Sequence, residues 1–285
     1  MTIFVLLLTF SVYLSSNIEE PLTTQELLAI VLEKPADFYD FTYDNSTMEF
    51  GPVYVAELED TLLNNVLVGG IDISWVDPDL PVVAITFDDG PDLEGTSPEI
   101  YAFLKENDVH ATFFLIGKNL VDEPEAIELI LDCNSQVANH TYNHYDLITL
   151  PIEEAENEVL SMQYLINDIT DSDDTNFVRL PFGSWNEDVL SVITVPIIGW
   201  SLNTDDWEAT CVEDILATTT NIQDGDIVLF HDVHVYTLGA LEILIPELQE
   251  KGFQFLTVEE MFAFRKIELE PGTIYNEAWP EVVEE

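Results

Sequence analysis

The sequence predicts an α/β fold in which about seven strand–helix units form a closed or nearly closed barrel. From Pro81 onward, short runs rich in β-branched residues alternate with amphipathic stretches of helical length. Such alternation is typical of a parallel sheet. Seven units also fit within roughly 185 residues, from residue 81 to about residue 265, which favours a barrel. A doubly wound open sheet is the alternative.

The order of the elements follows from apolar runs and helix caps. Ser97-Pro98 is typical of an N-cap followed by proline at the first helical position. Lys251-Gly252 indicates that a helix ends just before a strand. Strands are predicted near residues 82–87, 110–115, 135–139, 176–180, 195–200, 226–230 and 253–256. Helices are predicted near residues 97–107, 123–132, 152–168, 186–193, 211–221, 238–250 and 257–265.

The N-terminus begins with an apolar run, Ile3 to Leu14. Its length of about 12 residues is too short to span a bilayer but suits the core of a signal peptide, although a basic segment before it is missing. We therefore predict a signal peptide at 1–16 and a protein that is secreted, either extracellular or in the cell wall, without stable membrane insertion. A buried N-terminal strand is the alternative. Residues 17–80 are predicted to be an extension packed on the barrel domain at 81–265, and residues 266–285 an acidic, loosely packed tail.

The charge balance is extreme, with 56 acidic side chains against 7 basic ones and a formal net charge of −49. Phosphate backbones and anionic lipids would be repelled, which argues against nucleic acid and membrane surfaces as partners. High salt would screen the self-repulsion, an acidic medium would neutralise it, and a surface kept acidic for solubility is a third explanation. We expect a monomer, with Cys133 and Cys211 as buried free thiols.

Unusual polar residues follow the predicted strands, and the carboxyl ends of parallel strands are where α/β enzymes build their sites. Three of the 5 histidines and one of the two arginines of the chain fall in this set. Its members are Asp88, Asp89, His140, His144, Arg179, the segment Asn203 to Trp207, and His231.

Several of these residues together favour a metal-dependent hydrolytic site. Asp88 and Asp89 leave an apolar strand side by side, so they require a counter-charge, which a divalent metal or an arginine would supply. His140 and His144 are four residues apart and would lie on one face of a helical turn. One carboxylate and two imidazoles leave coordination positions open for water and substrate. A solvated turn and a chance histidine spacing are the alternatives.

Arg179 and His231 supply the remaining chemistry. Arg179 ends an apolar strand and needs a carboxylate partner, for which Asp88 is the leading candidate and a structural ion pair the alternative. His231 could act as a general acid, because its ordinary pKa is near neutrality. Pro181 and Gly183 could present the amide of Phe182 as an oxyanion donor. Trp207 and Leu229 could line a small acyl pocket, unless they are ordinary core residues.

In order, five segments resemble the motifs of the polysaccharide deacetylases, which are carbohydrate esterase family four or the NodB-homology family. The resemblance covers residues 81 to about 265 and implies a distorted (β/α)7-type barrel. The motifs are Thr86-Phe87-Asp88-Asp89-Gly90-Pro91, His140-Thr141-Tyr142-Asn143-His144, Arg179-Leu180-Pro181-Phe182-Gly183, Asn203-Thr204-Asp205-Asp206-Trp207 and Leu229-Phe230-His231-Asp232.

The resemblance implies N-deacetylation of an acetylated polysaccharide or oligosaccharide, with chitin or chitooligosaccharide favoured and peptidoglycan as a further substrate. It implies one divalent ion, commonly zinc, although cobalt, manganese or iron would suit the same ligands. Asp89, His140 and His144 would hold the ion. Asp88 would be the base, tethered by Arg179, and His231 the acid. Phe182, Trp207 and Leu229 would contact the substrate.

One departure from the family pattern concerns the fourth motif, which usually begins with an aspartate that pairs with the catalytic histidine. Here that place is taken by Asn203, so we expect a lower pKa for His231 than usual and weaker acid catalysis. Asp205 or Asp206 could serve in its place. A non-catalytic carbohydrate-binding or wall protein is therefore one alternative. An esterase that removes O-acetyl groups from xylan is the other, since an ester leaving group needs less help from an acid.

Overall fold

The structure, a computed structural model, describes residues 71–170 and 177–280. These residues lie within the compact unit Asp60–Glu285. The predicted signal peptide at 1–16 and residues 17–70 of the predicted extension lie outside the described residues. Within the described ranges, no helix has the length and apolar character needed to cross a membrane.

Eight strands and eight α-helices are described. Most of them lie close to the predicted ranges, but β5, β8 and α2 were not predicted. The strands are β1 Val82–Asp88, β2 Ala111–Leu115, β3 Gln136–Asn139, β4 Ile197–Ile198, β5 Leu202–Asn203, β6 Asp226–His231, β7 Gln254–Phe255 and β8 Ile274–Tyr275. The helices are α1 Ser97–Glu106, α2 Gly117–Asp122, α3 Ala126–Leu131, α4 Ile152–Thr170, α5 Glu187–Val192, α6 Val212–Thr218, α7 Thr237–Glu250 and α8 Val258–Arg265.

The strands form a distorted parallel barrel. Neighbouring strands pair in the order β3-β2-β1-β6-β5, and β7 pairs with the first residues of β1. Val178 bridges Asn139 of β3 on one side and Ile197 of β4 on the other. Because β4 and β5 are successive parts of one stretch, these pairings close the ring, and the predicted barrel is confirmed. The predicted strand at 176–180 contributes only the bridge at Val178.

Strand β1 shows how the barrel positions its polar end. All seven of its residues are buried, as expected when both faces of a parallel sheet are covered. Val83 and Ile85 pack in the cluster that includes the helices outside the barrel. Val82 and Ala84 pack inward with residues of β2, β3, β4 and β6. Since side chains alternate along a strand, the inward series continues to Thr86 and then to Asp88 at the carboxyl end.

The described part of the C-terminal segment, residues 266–280, is not loosely packed, contrary to the sequence-based expectation. Residues Ile274 and Tyr275 form β8, which pairs in parallel with β4. The Ala278 amide donates to the Gly225 carbonyl at 2.8 Å, and Ala278 itself is buried. An acidic composition therefore misled the prediction, because the backbone of this segment completes the flank of the barrel. Both cysteines are free as expected, although Cys211 is only half-buried.

Candidate active site

At the base of the site lies a buried ion pair between Arg179 and Asp88. The Arg179 side chain is inaccessible to solvent, and its Nη1 donates to Asp88 Oδ1 at 2.7 Å. Burial alone lowers the pKa of this guanidinium, and the charge of Asp88 opposes that effect. The other donors of Arg179 reach Thr86 Oγ1, the Ile198 carbonyl and the Gly199 carbonyl. Every nitrogen is thus engaged, so the guanidinium holds Asp88 in one orientation.

Asp89 turns away from the strand in the left-handed backbone region, with φ of 75°. This conformation is uncommon for a residue other than glycine. The side chain of Asn119 holds it by donating to the Asp89 carbonyl at 2.9 Å. The turn directs the Asp89 carboxylate at two histidines, with Oδ1 lying 3.4 Å from His140 Nε2 and 3.1 Å from His144 Nε2.

The two histidines are not on a helical turn, as their spacing had suggested. Residues 140–146 form a loop in which Thr141 and His144 have φ of 67° and 61°. The buried Glu158 carboxylate anchors the loop by accepting from the backbone and side-chain amides of Asn143, each at 2.7 Å. The left-handed turns bring the two imidazole rings to 4.9 Å between centroids. A loop with positive φ values, and not a helical turn, therefore brings the two histidines together.

The tautomer of His140 is set by its second nitrogen. Nδ1 lies 2.9 Å from the Arg179 carbonyl, which can only accept, so this nitrogen must carry the proton. In the neutral ring, Nε2 then presents a lone pair to Asp89. A ligating histidine is commonly oriented by such a bond from its other nitrogen.

Asp89, His140 and His144 fit a divalent metal ion. One ligand atom from each lies within 4.8 Å of the others. Asp89 Oδ1 is buried and accepts no hydrogen bond from any described residue. Burial raises the pKa of Asp89, but the neighbouring histidines outweigh burial and hold this pKa well below its usual range. Burial lowers the pKa of His144. The lone pairs of these three ligand atoms thus converge on one point, and a cation bound there would stabilise the arrangement.

His231 is paired with Asp206, and not with Asn203 as the motif comparison suggested. Asp206 Oδ1 lies 2.7 Å from His231 Nδ1, and Asp206 Oδ2 accepts from the His231 amide at 2.7 Å. The Thr237 hydroxyl also donates to Oδ2. Burial lowers the pKa of His231, but the hydrogen bond and charge of Asp206 outweigh it and raise this pKa to about 8.

The expected lowering of the His231 pKa is therefore wrong, and Asp206, one of the two acids expected to be able to serve in place of Asn203, makes the pairing. Asn203 does not orient His231, because its side-chain oxygen accepts from the Asp205 amide at 3.1 Å and stabilises the local turn. The pKa of His231 is raised, because a carboxylate three residues further along the chain stands in the pairing position. His231 Nε2 is directed toward the site and lies 4.0 Å from Asp89 Oδ2.

The residues expected to contact substrate have different environments. Phe182 has a φ of 61° and is 66% exposed, with its ring in edge contact with His144 at 4.7 Å between centroids. Trp207 directly follows Asp206 and is 57% exposed, which excludes an ordinary core role. Leu229 is buried in β6 and pairs in register with Thr86 of β1.

Sequence reasoning missed several residues that support the site. Thr86, Asn119 and Glu158 hold the arginine and the two ligand-bearing loops, and hydrogen bonds of this kind leave no pattern in a sequence. His234 contacts the His231 ring at 5.4 Å between centroids.

The Asp232 side chain packs against Gly90 of the first motif. It is buried, accepts from the Tyr101 hydroxyl at 3.1 Å, and burial raises its pKa to about 7. A Cβ atom at Gly90 would lie only 2.6 Å from Asp232 Oδ1, so only glycine fits there beside this carboxyl group. The sequence did contain a signal for Asp232, because this residue directly follows His231 in the fifth motif.

Comparisons with known proteins agree with this geometry. A family model described as polysaccharide deacetylase matches residues 76–194. The peptidoglycan-N-acetylglucosamine deacetylase PgdA of Listeria monocytogenes is 34% identical over 184 residues, which are 63% of this chain and 38% of that protein. The chain thus spans well under half of that relative. A chitooligosaccharide deacetylase of Sinorhizobium fredii is 33% identical, with 61% of this chain and 88% of that protein covered.

A solved structure shares the fold. The peptidoglycan deacetylase PdaC of Bacillus subtilis superposes with a TM-score of 0.64 at 30% identity, covering 67% of this chain and 94% of that one. The relatives are hydrolases, and the family is metal-dependent. The sequence similarity, the barrel and the motif residues at its strand ends lead to one conclusion. This chain belongs to the polysaccharide deacetylase family.

Proposed function

We propose that this protein removes N-acetyl groups from a polysaccharide that contains N-acetylglucosamine, releasing acetate with the help of a bound divalent ion. One observation carries the proposal. The converging ligand atoms of Asp89, His140 and His144 lie between two pairs whose carboxylates are buried, Asp88–Arg179 and Asp206–His231. The first pair can supply a base and the second an acid, which are the two proton-transfer groups that amide hydrolysis requires.

Asp89, His140 and His144 would hold the ion, with zinc favoured by the nitrogen and carboxylate donors and cobalt, manganese or iron as alternatives. When bound, it would polarise the acetyl carbonyl and make the attacking water more acidic.

Asp88 takes the proton from the attacking water. Its Oδ1 is occupied by Arg179, and its Oδ2 lies 3.6 Å from His140 Nε2, so Oδ2 faces the candidate metal site. Arg179 is a positioning residue, because it touches the base and no reacting atom. The fixed guanidinium keeps the carboxylate from rotating, which aligns it before the reaction begins.

His231 gives a proton to the departing amine. A raised pKa keeps the imidazole protonated near neutral pH, so the acid is ready when the carbon–nitrogen bond breaks. Asp206 holds Nδ1, which leaves the proton on Nε2 available to the leaving group. We assign the oxyanion to the Phe182 amide, and the acetyl methyl group to Trp207 and Leu229.

Chitin or a chitooligosaccharide suits the charge of the protein, because a net charge of −49 repels anionic polymers. Peptidoglycan is the second candidate, since relatives with that activity match the chain. The O-acetyl xylan esterase remains an alternative within the family. The contact between Asp206 and His231 argues against the non-catalytic alternative, because Asp206 supplies the carboxylate that Asn203 lacks.

Acetate release from chitin oligosaccharides, peptidoglycan fragments and acetylxylan tests the proposal. The protein is first stripped with a chelator and then assayed with and without added zinc or cobalt. We expect release only with metal. Asp88→Asn should abolish release, while Asp188→Asn, an exposed acid on α5, provides the same change of charge away from the site. No release from any polymer with either ion would contradict the proposal.

We also propose that residues 1–16 direct export, which would bring the protein to an extracellular or cell-wall substrate, and that the mature protein is a monomer without nucleic-acid partners. Sequencing the N-terminus of secreted protein would locate the cleavage site. Recovery of the protein with residues 1–16 intact would contradict the proposal.

A further inference from the structure

The C-terminal segment lies beyond the five motifs, yet it contacts the part of the barrel that holds Arg179. Its strand β8 pairs in parallel with β4. The Ile197 amide donates to the Thr273 carbonyl at 2.8 Å, and the Gly199 amide donates to the Tyr275 carbonyl at 2.7 Å. One edge of β4 is therefore occupied by the backbone of the C-terminal segment.

The peptide group between Ile198 and Gly199 joins this segment to the arginine. Its N–H donates to Tyr275, and its carbonyl accepts from Arg179 Nε at 3.2 Å. The next carbonyl along the chain, that of Gly199, accepts from Arg179 Nη2 at 2.8 Å. Two of the four acceptors that hold the guanidinium thus belong to the stretch that pairs with β8.

A continuous path of hydrogen bonds runs from the C-terminal segment to the proposed base. It passes from the Tyr275 carbonyl through the 198–199 peptide to Arg179, whose Nη1 donates to Asp88 Oδ1 at 2.7 Å. Hydrogen bonds in series polarise one another, so the bond to Tyr275 makes the next carbonyl a stronger acceptor. Because the guanidinium is a rigid planar fork, the positions of its carbonyl acceptors also determine where Nη1 meets Asp88.

Contacts away from the arginine hold β8 in place. The Tyr275 ring packs edge-on against Phe262, with 5.5 Å between centroids. Arg265 Nε donates to the Ala278 carbonyl at 3.1 Å. A Cβ atom at Gly225 would lie only 2.3 Å from that carbonyl oxygen, so the barrel admits the Ala278 backbone because position 225 is glycine. The segment can therefore act as a fixed support for β4.

We propose that the C-terminal segment helps to align the catalytic base, with Tyr275 acting through its main-chain carbonyl as a positioning residue for Asp88. The segment fixes β4, β4 fixes Arg179, and Arg179 fixes Asp88. Tyr275 touches no reacting atom in this arrangement. This role rests on the proposed deacetylase function, because only that function makes Asp88 a base.

Protein semisynthesis tests the path in the full-length chain. Recombinant residues 1–272 are joined to a synthetic peptide of residues 273–285. In one variant, an ester replaces the amide between Tyr275 and Asn276, which weakens the Tyr275 carbonyl as an acceptor and changes no side chain. In the metal-loaded protein, we expect kcat for acetate release to fall by about three- to tenfold relative to the all-amide chain, with KM within about twofold.

The matched control carries the same chemical change elsewhere in the segment. An ester between Glu277 and Ala278 removes the amide that donates to the Gly225 carbonyl at 2.8 Å, which lies off the path to Arg179. Each ester weakens main-chain hydrogen bonding of the segment, so both should lower the melting temperature by a similar few degrees. Only the first should lower kcat, and the control should stay within about twofold of the all-amide chain.

NMR of the guanidinium provides a measurement that does not depend on activity. The chain has two arginines, Arg179 and Arg265, and both lie in the recombinant part. Labelling arginine with ¹⁵N therefore gives two Nε signals. We expect the ester after Tyr275 to shift the Arg179 signal and to speed the exchange of its proton with water. The control ester should leave the Arg179 signal in place.

The outcomes separate the two proposals. An unchanged kcat in the first ester, or an equal fall of kcat in both esters, would overturn the positioning role and leave the deacetylase intact. A fall in kcat without any change in the Arg179 signal would also overturn it, because the path runs through the guanidinium. If the all-amide chain releases no acetate, the proposed function fails. The Arg179 signal then decides alone: a shift confined to the first ester supports the path, and no shift refutes it.

Discussion

Charged side chains are arranged differently at the strand-end site and on the outer surface of this protein. At the site, the carboxylates of Asp88 and Asp206 are buried, and each is bound to one dedicated basic partner. On the surface, acids greatly outnumber bases, because the whole chain has 56 acidic and 7 basic side chains. One of those bases, Arg179, is buried, and Lys105 and Arg265 pair with Asp132 and Asp224.

This difference indicates which charged residues can be substituted without a large loss of stability. A buried charge that loses its partner cannot be solvated, and breaking such a pair costs about 3–5 kcal/mol. An exposed pair contributes only about 0–1 kcal/mol, and salt screens it. Acidity in the composition is therefore a property of the surface, whereas a few paired charges determine the chemistry.

Replacing Arg179 should produce the largest effect. Arg179→Met leaves Asp88 buried without its partner, so we expect a loss of about 3–5 kcal/mol in the free energy of unfolding, measured with urea. The matched control is Arg265→Met, which removes the other arginine of the chain from a more exposed pair with Asp224. A loss of no more than about 1 kcal/mol in both variants would show that the two regions do not differ.

Replacing Asp206 should damage catalysis more than stability. We expect Asp206→Asn to lower kcat by about 100-fold, because His231 loses the carboxylate that stabilises its protonated form. In the wild type, the raised pKa of His231 means that the acid is available at neutral pH and is lost as the pH rises past about 8. In the variant, this loss of activity should move to lower pH. A pH–rate profile that does not move would contradict the pairing.

Removing the metal tests the cluster of ligand atoms independently of activity. We expect chelation to lower the melting temperature by several degrees and added zinc to restore it, because a ligand that binds only the native state stabilises it. Asp89→Asn should abolish this zinc-dependent rise. A rise of the same size in that variant would place the ion elsewhere.

Added salt should separate the two regions further. Raising the ionic strength from about 0.1 M to about 1 M shortens the Debye length from about 10 Å to about 3 Å, so surface repulsion should weaken and the melting temperature should rise. The deficit of Arg179→Met should hardly change, since its cause is buried. A deficit that disappears in high salt would contradict the distinction. If the melting temperature does not change with salt, the explanation that the surface is kept acidic for solubility is favoured.

The smallest effect is expected at Asn203. Because Asp206 already supplies the carboxylate to His231, Asn203→Asp should change kcat by less than about twofold. An increase of tenfold or more would mean that position 203 acts on His231 after all. The same assay as for Asp206→Asn gives a direct comparison of the two positions.

Much of the fold could be predicted because β-branched runs and helix caps are local features. Strand β1 and helix α1 were located within one or two residues from such signals. The β8 strand could not be predicted, since only pairing with β4 makes the two residues Ile274 and Tyr275, within an acidic tail, a strand. Likewise, no propensity indicated left-handed φ values at Thr141 and His144, because the surrounding contacts impose them on ordinary residues.

The motifs placed the candidate site residues at strand ends, and the structure brings the metal-ligating and proton-transfer candidates together. The pairing of His231 could not be chosen from the sequence, where Asn203, Asp205 and Asp206 stand within four positions. The choice depends on the direction in which the chain leaves β5. Asp206 alone is buried with both oxygens directed at His231 and Thr237.

The contact between Gly90 and Asp232 has a consequence for how such sequences evolve. Gly90 does not need a positive φ, so its identity is enforced by the carboxyl group of a residue far along the chain. A motif that reads as a local turn is thus one half of a long-range constraint. A lineage that enlarges position 90 must first reduce position 232, and the two positions should change together or not at all.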